Sequence, residues 1–284
     1  MHEMSLRELQ LFSLEILKDV AFFCSENNIR FSLYGGTLIG AIRHQGFIPW
    51  DDDIDIIMPR EDYNRFCRIY KSDKYRIVNR GNDKSFQFAY SHVCDFDKTI
   101  CEVRNPFSNK QTGVFIDVFP ADGCPPDEDE IAAFYKENQD CFNMIYWTRR
   151  YMRSYSSEWK ICINELSFFN LLKHMAVFPL KKFHWLYIKR GKSKWINRLI
   201  KLNTTYKFGQ TPYWGCFSYL YNHVVYHPIE SLEEYINCKF EDAEFPIMKG
   251  YDGYLKRAYG NYMELPPKDQ QCPPLKGFYK FYWK

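Results

Sequence analysis

The sequence predicts a mixed α/β (α+β) protein, in which a mixed-sheet core is followed by a helical, aromatic-rich insert. Strand-like and helix-like segments alternate over residues 1–122, which favours a sheet flanked by helices. After the acidic, proline-containing run at residues 124–130, the pattern becomes helical and strongly aromatic up to about residue 202. The composition, with 46% apolar and 26% charged residues in 284, is ordinary for a globular chain and excludes a disordered one.

These shifts divide the chain into three predicted parts. We predict that residues 1–122 form a mixed α/β core and that residues 123–228 form a basic, aromatic helical subdomain. Residues 229–284 form a C-terminal segment that packs back on the core. Because no run of about 18 uncharged apolar residues occurs, we expect no helix that spans a membrane.

The first element is a helix that begins with a capping box. Ser5 and Glu8 have the spacing at which each side chain caps the backbone N–H of the other. Apolar residues then recur at intervals of three and four up to Cys24, as on one face of an amphipathic helix. Asn27 and Asn28 end the helix.

The elements that follow are short strands and short helices. Strands are expected at residues 31–34, 53–58, 75–79, 86–91 and 114–119. Helices are expected at residues 37–43 and 61–70, the second of them opened by Pro59.

The remaining chain, residues 203–284, shows little long periodicity apart from one short helix that Gly260 ends. Tyr251, Tyr254, Leu255 and Ala258 share a face of this helix, which favours packing on the core. The alternative is that its basic residues, Lys256 and Arg257, face a substrate.

Two aspartates suggest a metal site. On a strand, residues two apart share a face, so Asp53 and Asp55 project together, about 6–7 Å apart. Carboxylates this close repel each other unless a cation lies between them, and oxygen ligands suit Mg²⁺ or Mn²⁺. The preceding Asp51 and Asp52 are expected to form a solvated acidic turn, with a direct role at the site as the less favoured alternative. Asp117, a lone acid in an apolar strand, is the expected third ligand, with a buried ion pair as the alternative.

The glycine pair before these acids suggests a phosphate site. Gly35 and Gly36, followed by Thr37, place bare backbone N–H groups at the start of a helix, which is an arrangement that binds phosphate. A tight turn is the plainer alternative. Arg43, at the end of that helix, either clamps a phosphate or serves as a C-terminal helix cation.

Strand, Gly-Gly, helix, Asp-x-Asp and a later single Asp form the arrangement of the nucleotidyltransferase fold. Three blocks resemble the LicD family: YGGTLIGAIRHQGFIPWDDDIDIIMPREDYNRF from Tyr34, FIDVFPADG from Phe115, and FEDAEFPIMKGYDGYLKRAYGNYMELPP from Phe240. The resemblance extends from about residue 6 to residue 267, but no motif matches the aromatic middle.

The resemblance implies a transferase that moves phosphocholine from CDP-choline to a sugar of a surface glycan, such as lipopolysaccharide, teichoic acid or capsule. The related fukutin and fukutin-related protein move ribitol phosphate from CDP-ribitol. The resemblance implies catalytic and metal-binding roles for Asp53, Asp55 and Asp117, with Mg²⁺ or Mn²⁺ as cofactor. The resemblance also implies that six residues bind the substrate: Tyr34, Gly35, Gly36, Thr37, Arg43 and Trp50.

In the implied reaction, a sugar hydroxyl attacks the phosphorus that bears the alcohol, and CMP leaves. Asp117 or a neighbouring aspartate could accept the hydroxyl proton, and His44 and His92 are rival bases. Choline would also need aromatic faces around its ammonium group, which spacing alone does not identify.

Two other functions share some of these features. A nucleotidylyltransferase, which adds NMP to a small molecule, uses the same carboxylate geometry. A glycan- or membrane-binding module with a degenerate site is disfavoured, because all three carboxylates and the glycine pair are present.

Charge is unevenly distributed, although the net charge is only +3. Residues 166–229 contain ten Lys and Arg but no Asp or Glu, and the basic residues alternate with aromatic ones. Such a segment suits an anionic membrane surface or nucleic acid, and a solvated helical face is an equal alternative. The LicD resemblance favours the membrane over nucleic acid, because surface glycans are assembled on lipid carriers, so residues 123–228 are predicted to dock an acceptor or a membrane. We expect a cytoplasmic protein, peripheral at most at the inner face of the cell membrane, and no nucleic-acid partner.

The cysteines do not suggest a metal site. Ten are scattered without CxxC spacing or a histidine cluster, so a structural zinc site is not expected. In the absence of a secretory signal we expect reduced thiols and an intracellular compartment.

Overall fold

The computed structural model describes residues 1–103, 112–145, 191, 193–218, 224–272 and 279–284. Its central sheet contains seven strands, five of which follow the order β2-β3-β7-β5-β4. Their bounds are β2 Ser32–Leu33, β3 Asp55–Pro59, β4 Tyr75–Val78, β5 Ser91–Asp95 and β7 Phe115–Gly123. The β3–β7 pair is parallel and the other pairs are antiparallel. The expected mixed α/β class, with a mixed sheet, is confirmed.

Six helices accompany the sheet in the described part of the chain. Four of them agree with the sequence pattern: α1 Leu6–Glu26, α2 Gly35–His44, α3 Arg60–Ile69 and α6 Tyr251–Tyr259. Residues 128–145 (α4) and 193–203 (α5) are also helical. The helical pattern expected at residues 131–202 is therefore present at both ends, and its centre lies outside the described residues.

Short strands complete the structure. β1 (His2–Glu3), β12 (Tyr279–Trp283) and β6 (Thr99–Val103) form a sheet in the order β1-β12-β6, which joins the two ends of the described chain. β8 (Tyr213–Gly215) pairs with the end of β7 and with β9 (His227–Pro228). β10 (Tyr235–Phe240) and β11 (Ala243–Met248) form a hairpin.

The ends of α1 and α6 follow the sequence signals. Ser5 and Glu8 form the expected capping box, and Asn27 is the C-cap of α1. Gly260 ends α6, whose Tyr254, Leu255 and Ala258 belong to the same buried cluster as the central sheet.

The strand expected at residues 86–91 is wrong, because β5 begins only at Ser91. The neighbouring strand β4 ends at Val78, which is the register partner of His92. Residues 86–90 therefore have no partner from β4, and a strand without a partner loses the ladder that satisfies its backbone.

The sequence also gave no sign of the β10–β11 hairpin. Its two-residue loop is Glu241–Asp242, with Glu241 in the left-handed region at φ 59°. Turns of this kind are usually recognised by Asn-Gly or Asp-Gly, so a Glu-Asp pair carries no such signal.

The division at residue 122 stays a prediction, although β7 continues one residue beyond it to Gly123. No described helix is long and apolar enough to cross a lipid bilayer. The nine described cysteines are free thiols.

Candidate active site

The parallel pairing of β3 with β7 places two aspartates side by side. Asp55 opens β3 and is the register partner of Asp117 in β7. Strands in a sheet lie about 4.8 Å apart, and register partners point to the same face. The N–H of Asp117 donates to the carbonyl of Ile54 at 2.9 Å, which fixes the register at this end. The fold therefore brings Asp117 to Asp55, as the sequence argument expected.

The prediction that Asp53 lies in the same strand as Asp55 is wrong. The pairing of β3 with β7 ends at Asp55, and its pairing with β2 ends at Ile56. Asp53 therefore has no described strand beside it. Residues 51–54 instead form an irregular segment that leads into β3. The two carboxylates still interact electrostatically: after burial, the charge of Asp55 is the largest influence that raises the pKa of Asp53.

Asp51 is the residue whose importance the sequence argument underestimated. It is only 6% exposed, whereas a solvated turn would leave it in water. Its carbonyl accepts a hydrogen bond from Gln10 Nε2 at 2.9 Å, which fastens the segment to α1. Carboxylate oxygens of Asp51, Asp52 and Asp53 lie within 4.8 Å of one another. The relevant signal was Gln10, because a polar side chain at a buried position of a helix needs a hydrogen-bond partner.

Burial and mutual repulsion raise the pKa of three of these carboxyl groups. Burial and then the charge of Asp52 raise the pKa of Asp51 to about 6. Burial is also the main cause for Asp53 and Asp55, and for Asp55 the charge of Asp117 comes next. Such an accumulation of negative charge favours a bound cation.

The donor set fits a divalent cation. The carboxylates offer oxygen ligands alone, which Mg²⁺ and Mn²⁺ prefer. Asp117 Oδ1 is buried and forms no hydrogen bond among the described residues, and His92 Nε2 lies 3.0 Å from it. This oxygen is the atom that Asp117 offers to a cation at the point where β3 and β7 meet.

The glycine pair opens α2 and lies directly against the carboxylates. Gly35 has φ +56°, and a Cβ at this position would approach Asp55 Oδ2 to 2.9 Å. A Cβ on Gly36 would approach Asp51 Oδ2 to 2.7 Å. The bare backbone is thus needed for the carboxylates to reach the positive end of α2, where a phosphate would also be stabilised.

Thr37 and Tyr34 contact the backbone and the core residues next to the carboxylates. Thr37 Oγ1 accepts a hydrogen bond from the N–H of Asp55 at 2.9 Å, and the side chain is buried. The ring of Tyr34, also buried, stacks on Tyr254 at 5.1 Å and lies 5.8 Å from Phe119. In these contacts both residues position the strands that carry the acids.

Arg43 and Trp50 are placed away from the glycine pair. Arg43 lies eight residues further along α2 than Gly35, about 12 Å at 1.5 Å per residue. Its Nη1 donates to the carbonyls of Tyr262 and Glu264 at 2.7 and 3.1 Å, so it ties the C-terminal segment to α2. Trp50 is partly buried against the core. Their roles in substrate binding stay predictions.

The structure separates the two candidate bases. His92 is the register partner of Asp117, and its Nε2 lies 3.0 Å from Asp117 Oδ1. His44 lies at the far end of α2, where its Nε2 accepts from Arg43 Nε at 2.9 Å. His92 is therefore in the site and His44 is outside it.

A buried ion pair at the opposite end of β3 and β7 was not expected from the sequence. Arg60, the first residue of α3, makes a bidentate contact with Asp122 in β7, each N–O distance being 2.6 Å. The Asp122 side chain is fully buried, and that of Arg60 is 12% exposed. The pair joins α3 to the strand that carries Asp117. The signal in the sequence was an acid, Asp122, at the end of a largely apolar strand.

Comparisons with known proteins agree with this geometry. The family model described as the LicD/FKTN/FKRP nucleotidyltransferase domain matches residues 28–179. The lipopolysaccharide cholinephosphotransferase LicD of Haemophilus influenzae is 31% identical over 281 residues, which cover 96% of this chain and 97% of that protein. An uncharacterised protein of Rickettsia typhi is 44% identical over 66 residues, 22% of this chain and 21% of that protein. One of Rickettsia prowazekii is 31% identical over 111 residues, 39% of each chain.

The family model spans more than half of the chain, and the Haemophilus protein matches nearly all of it. The matched range includes the glycine pair, the acidic segment and Asp117. The chain therefore belongs to the LicD family and contains its nucleotidyltransferase domain.

Proposed function

We propose that this protein transfers phosphocholine from CDP-choline to a sugar hydroxyl of a cell-surface glycan and releases CMP. The observation that carries the proposal is the in-register pairing of Asp55 with Asp117, beside a buried acidic segment and the glycine-rich start of α2. A relative named as a lipopolysaccharide cholinephosphotransferase, matched along nearly the whole chain, supports the choice of choline.

Asp53, Asp55 and Asp117 would hold Mg²⁺ or Mn²⁺, and Asp51 is close enough to join them. The ion would neutralise charge on the donor diphosphate and assist departure of CMP. The backbone at Gly35 and Gly36 leaves room for phosphate oxygens at the positive end of α2. Thr37 holds the strand that carries Asp55 through its hydrogen bond to the backbone.

In the transfer step, the acceptor oxygen forms a bond to the phosphorus that bears choline, and the bond from that phosphorus to the CMP oxygen breaks. The hydroxyl proton passes to a nearby base. Asp117 is one candidate, and His92 is the other, since its Nε2 lies 3.0 Å from Asp117 Oδ1.

The acceptor is a glycan, and lipopolysaccharide is supported by the name of the Haemophilus relative. Teichoic acid, capsule and a lipid-linked acceptor stay predictions, as does contact with an anionic membrane. That contact depends on the ten basic residues of the segment 166–229, and six of them lie outside the described residues.

Product analysis tests the reaction. The purified protein is incubated with CDP-choline, Mg²⁺ and a sugar acceptor, and the products are separated. We expect CMP together with phosphocholine on the acceptor. Pyrophosphate release from CTP with a nucleotide on the product would favour a nucleotidylyltransferase instead, and CMP release from CDP-ribitol alone would favour ribitol phosphate transfer.

A further inference from the structure

Aromatic side chains surround His92 on the sheet face that carries Asp117. His92 and Asp117 are register partners and therefore share that face. Phe115, two residues before Asp117, stacks on the His92 ring with centroids 4.3 Å apart and planes 2° apart. Tyr90, two residues before His92, lies 4.3 Å from Phe119. The region next to the carboxylates is thus lined by rings.

Two further rings reach this region from the segment before β5. Phe86 and Phe88 lie 4.8 and 5.1 Å from the His92 ring, and their own centroids are 5.3 Å apart. Phe88 also lies 5.0 Å from Tyr90. Phe86 and Phe88 are only partly buried, although burial of their rings would be favourable. Two part-exposed phenylalanine rings therefore lie one side chain, His92, away from Asp117.

We propose that Phe86, Phe88 and Tyr90 bind the trimethylammonium group of choline, a reading that rests on the proposed function. Aromatic faces attract cations through the ring quadrupole, and quaternary ammonium groups are typical ligands of such clusters. The charge of Asp117, on the other side of His92, adds long-range attraction for the same cation.

The position of the rings suits the donor. Choline places its ammonium two carbons from the phosphate oxygen, so its site must lie next to the carboxylates that hold the diphosphate. The path from Phe88 to Asp117 passes through one side chain, His92. A ribitol chain presents hydroxyl groups, which phenyl rings cannot satisfy by hydrogen bonding. The ring cluster therefore favours choline over a polyol.

The test compares CDP-choline with its neutral carbon analogue, CDP-3,3-dimethylbutanol, in which carbon replaces the ammonium nitrogen. The wild-type protein should prefer CDP-choline in kcat/KM by about tenfold, the size of a desolvated cation–π contact. Phe86→Leu and Phe88→Leu keep apolar bulk but remove the ring, and each should reduce that preference several-fold. Phe88→Tyr keeps the ring and should retain it.

Phe96→Leu is the matched control, since Phe96 is another partly buried phenylalanine but packs beside Arg76 instead of His92. It should leave the preference unchanged. Equal use of the two donors by the wild-type protein would overturn the proposal, as would an unchanged preference in folded Phe86→Leu and Phe88→Leu. In both cases CDP-choline turnover would leave the proposed function standing, whereas a wild-type protein that turns over neither donor would overturn both.

Discussion

Removing a single carboxylate from this site should lower activity without lowering the stability of the metal-free protein. Burial and the charge of Asp117 raise the pKa of Asp55, which means that its ionised form is unfavourable in the folded chain without a cation. We predict that Asp55→Asn abolishes transfer but leaves the melting temperature of the metal-free protein unchanged or raised. A gain of 1 kcal/mol corresponds to about 2–4 °C in a domain of this size.

Asp97→Asn is the control for this prediction, because Asp97 is exposed and lies outside the acidic segment. It should keep wild-type turnover and melting temperature. Near-normal turnover of purified Asp55→Asn would contradict the role assigned to Asp55.

Asp51 gives the metal-free protein a distinct pH dependence. Burial raises its pKa to about 6, above its value in the unfolded chain, so the folded state binds this proton more tightly. The contribution to stability is complete below about pH 4 and is lost as pH rises through 6. In EDTA, Asp51→Asn should therefore reduce the fall in free energy of unfolding between pH 4 and 7 by roughly 1–3 kcal/mol. Urea titrations with parallel pH profiles for variant and wild type would exclude this effect.

At the scale of elements, the start of α2 must remain free of side chains. A Cβ on Gly36 would come within 2.7 Å of Asp51 Oδ2. We predict that Gly36→Ala displaces this carboxylate and lowers kcat/KM at least tenfold, about 1.4 kcal/mol or more in transition-state stabilisation.

Gly253→Ala is the matched control in α6, since no atom lies within 4 Å of its added Cβ. It should retain activity and gain stability of about 0.5–1 kcal/mol. Equal activities of the two variants would contradict the close approach.

The connection between α3 and β7 depends on a buried ion pair. Removing one member leaves the other charge buried without a partner, which typically costs about 3–5 kcal/mol. We predict a loss of this size for Asp122→Asn in urea unfolding. Arg30→Ala breaks the Arg30–Asp62 pair, in which Arg30 is 48% exposed, and should cost about 1 kcal/mol or less. A comparable small loss for both variants would show that Asp122 is not paired as described.

The elements differ in how well the sequence predicts them. α1 was predictable because its capping box, apolar spacing and terminal asparagine act locally. Asp117 was predictable as a site residue because a lone acid in an apolar strand must find a partner. The burial of Asp51 and the pairing of Arg60 with Asp122 depend on contacts between distant segments, and local patterns contain little information on those.

For the molecule as a whole, the aromatic excess is partly explained by one layer of rings. It extends from Tyr254 through Tyr34, Phe119 and Tyr90 to Phe88, with successive centroids 4.3–5.8 Å apart. This layer connects α6, near the C-terminus, with the strands of the carboxylate site. The C-terminal block and the strands of the carboxylate site therefore share one core, which agrees with the packing expected from the apolar face of α6.

If the carboxylate cluster binds a divalent cation, the CDP-linked donor should bind through that cation. Isothermal titration calorimetry with CDP-choline, in Mg²⁺ and in EDTA, measures this dependence, with CDP-ribitol and CTP as comparison ligands. We predict one bound CDP-choline per chain in Mg²⁺ and an affinity at least tenfold weaker in EDTA, about 1.4 kcal/mol or more. Equal affinity with and without Mg²⁺, or no binding of any of the three nucleotides, would contradict it.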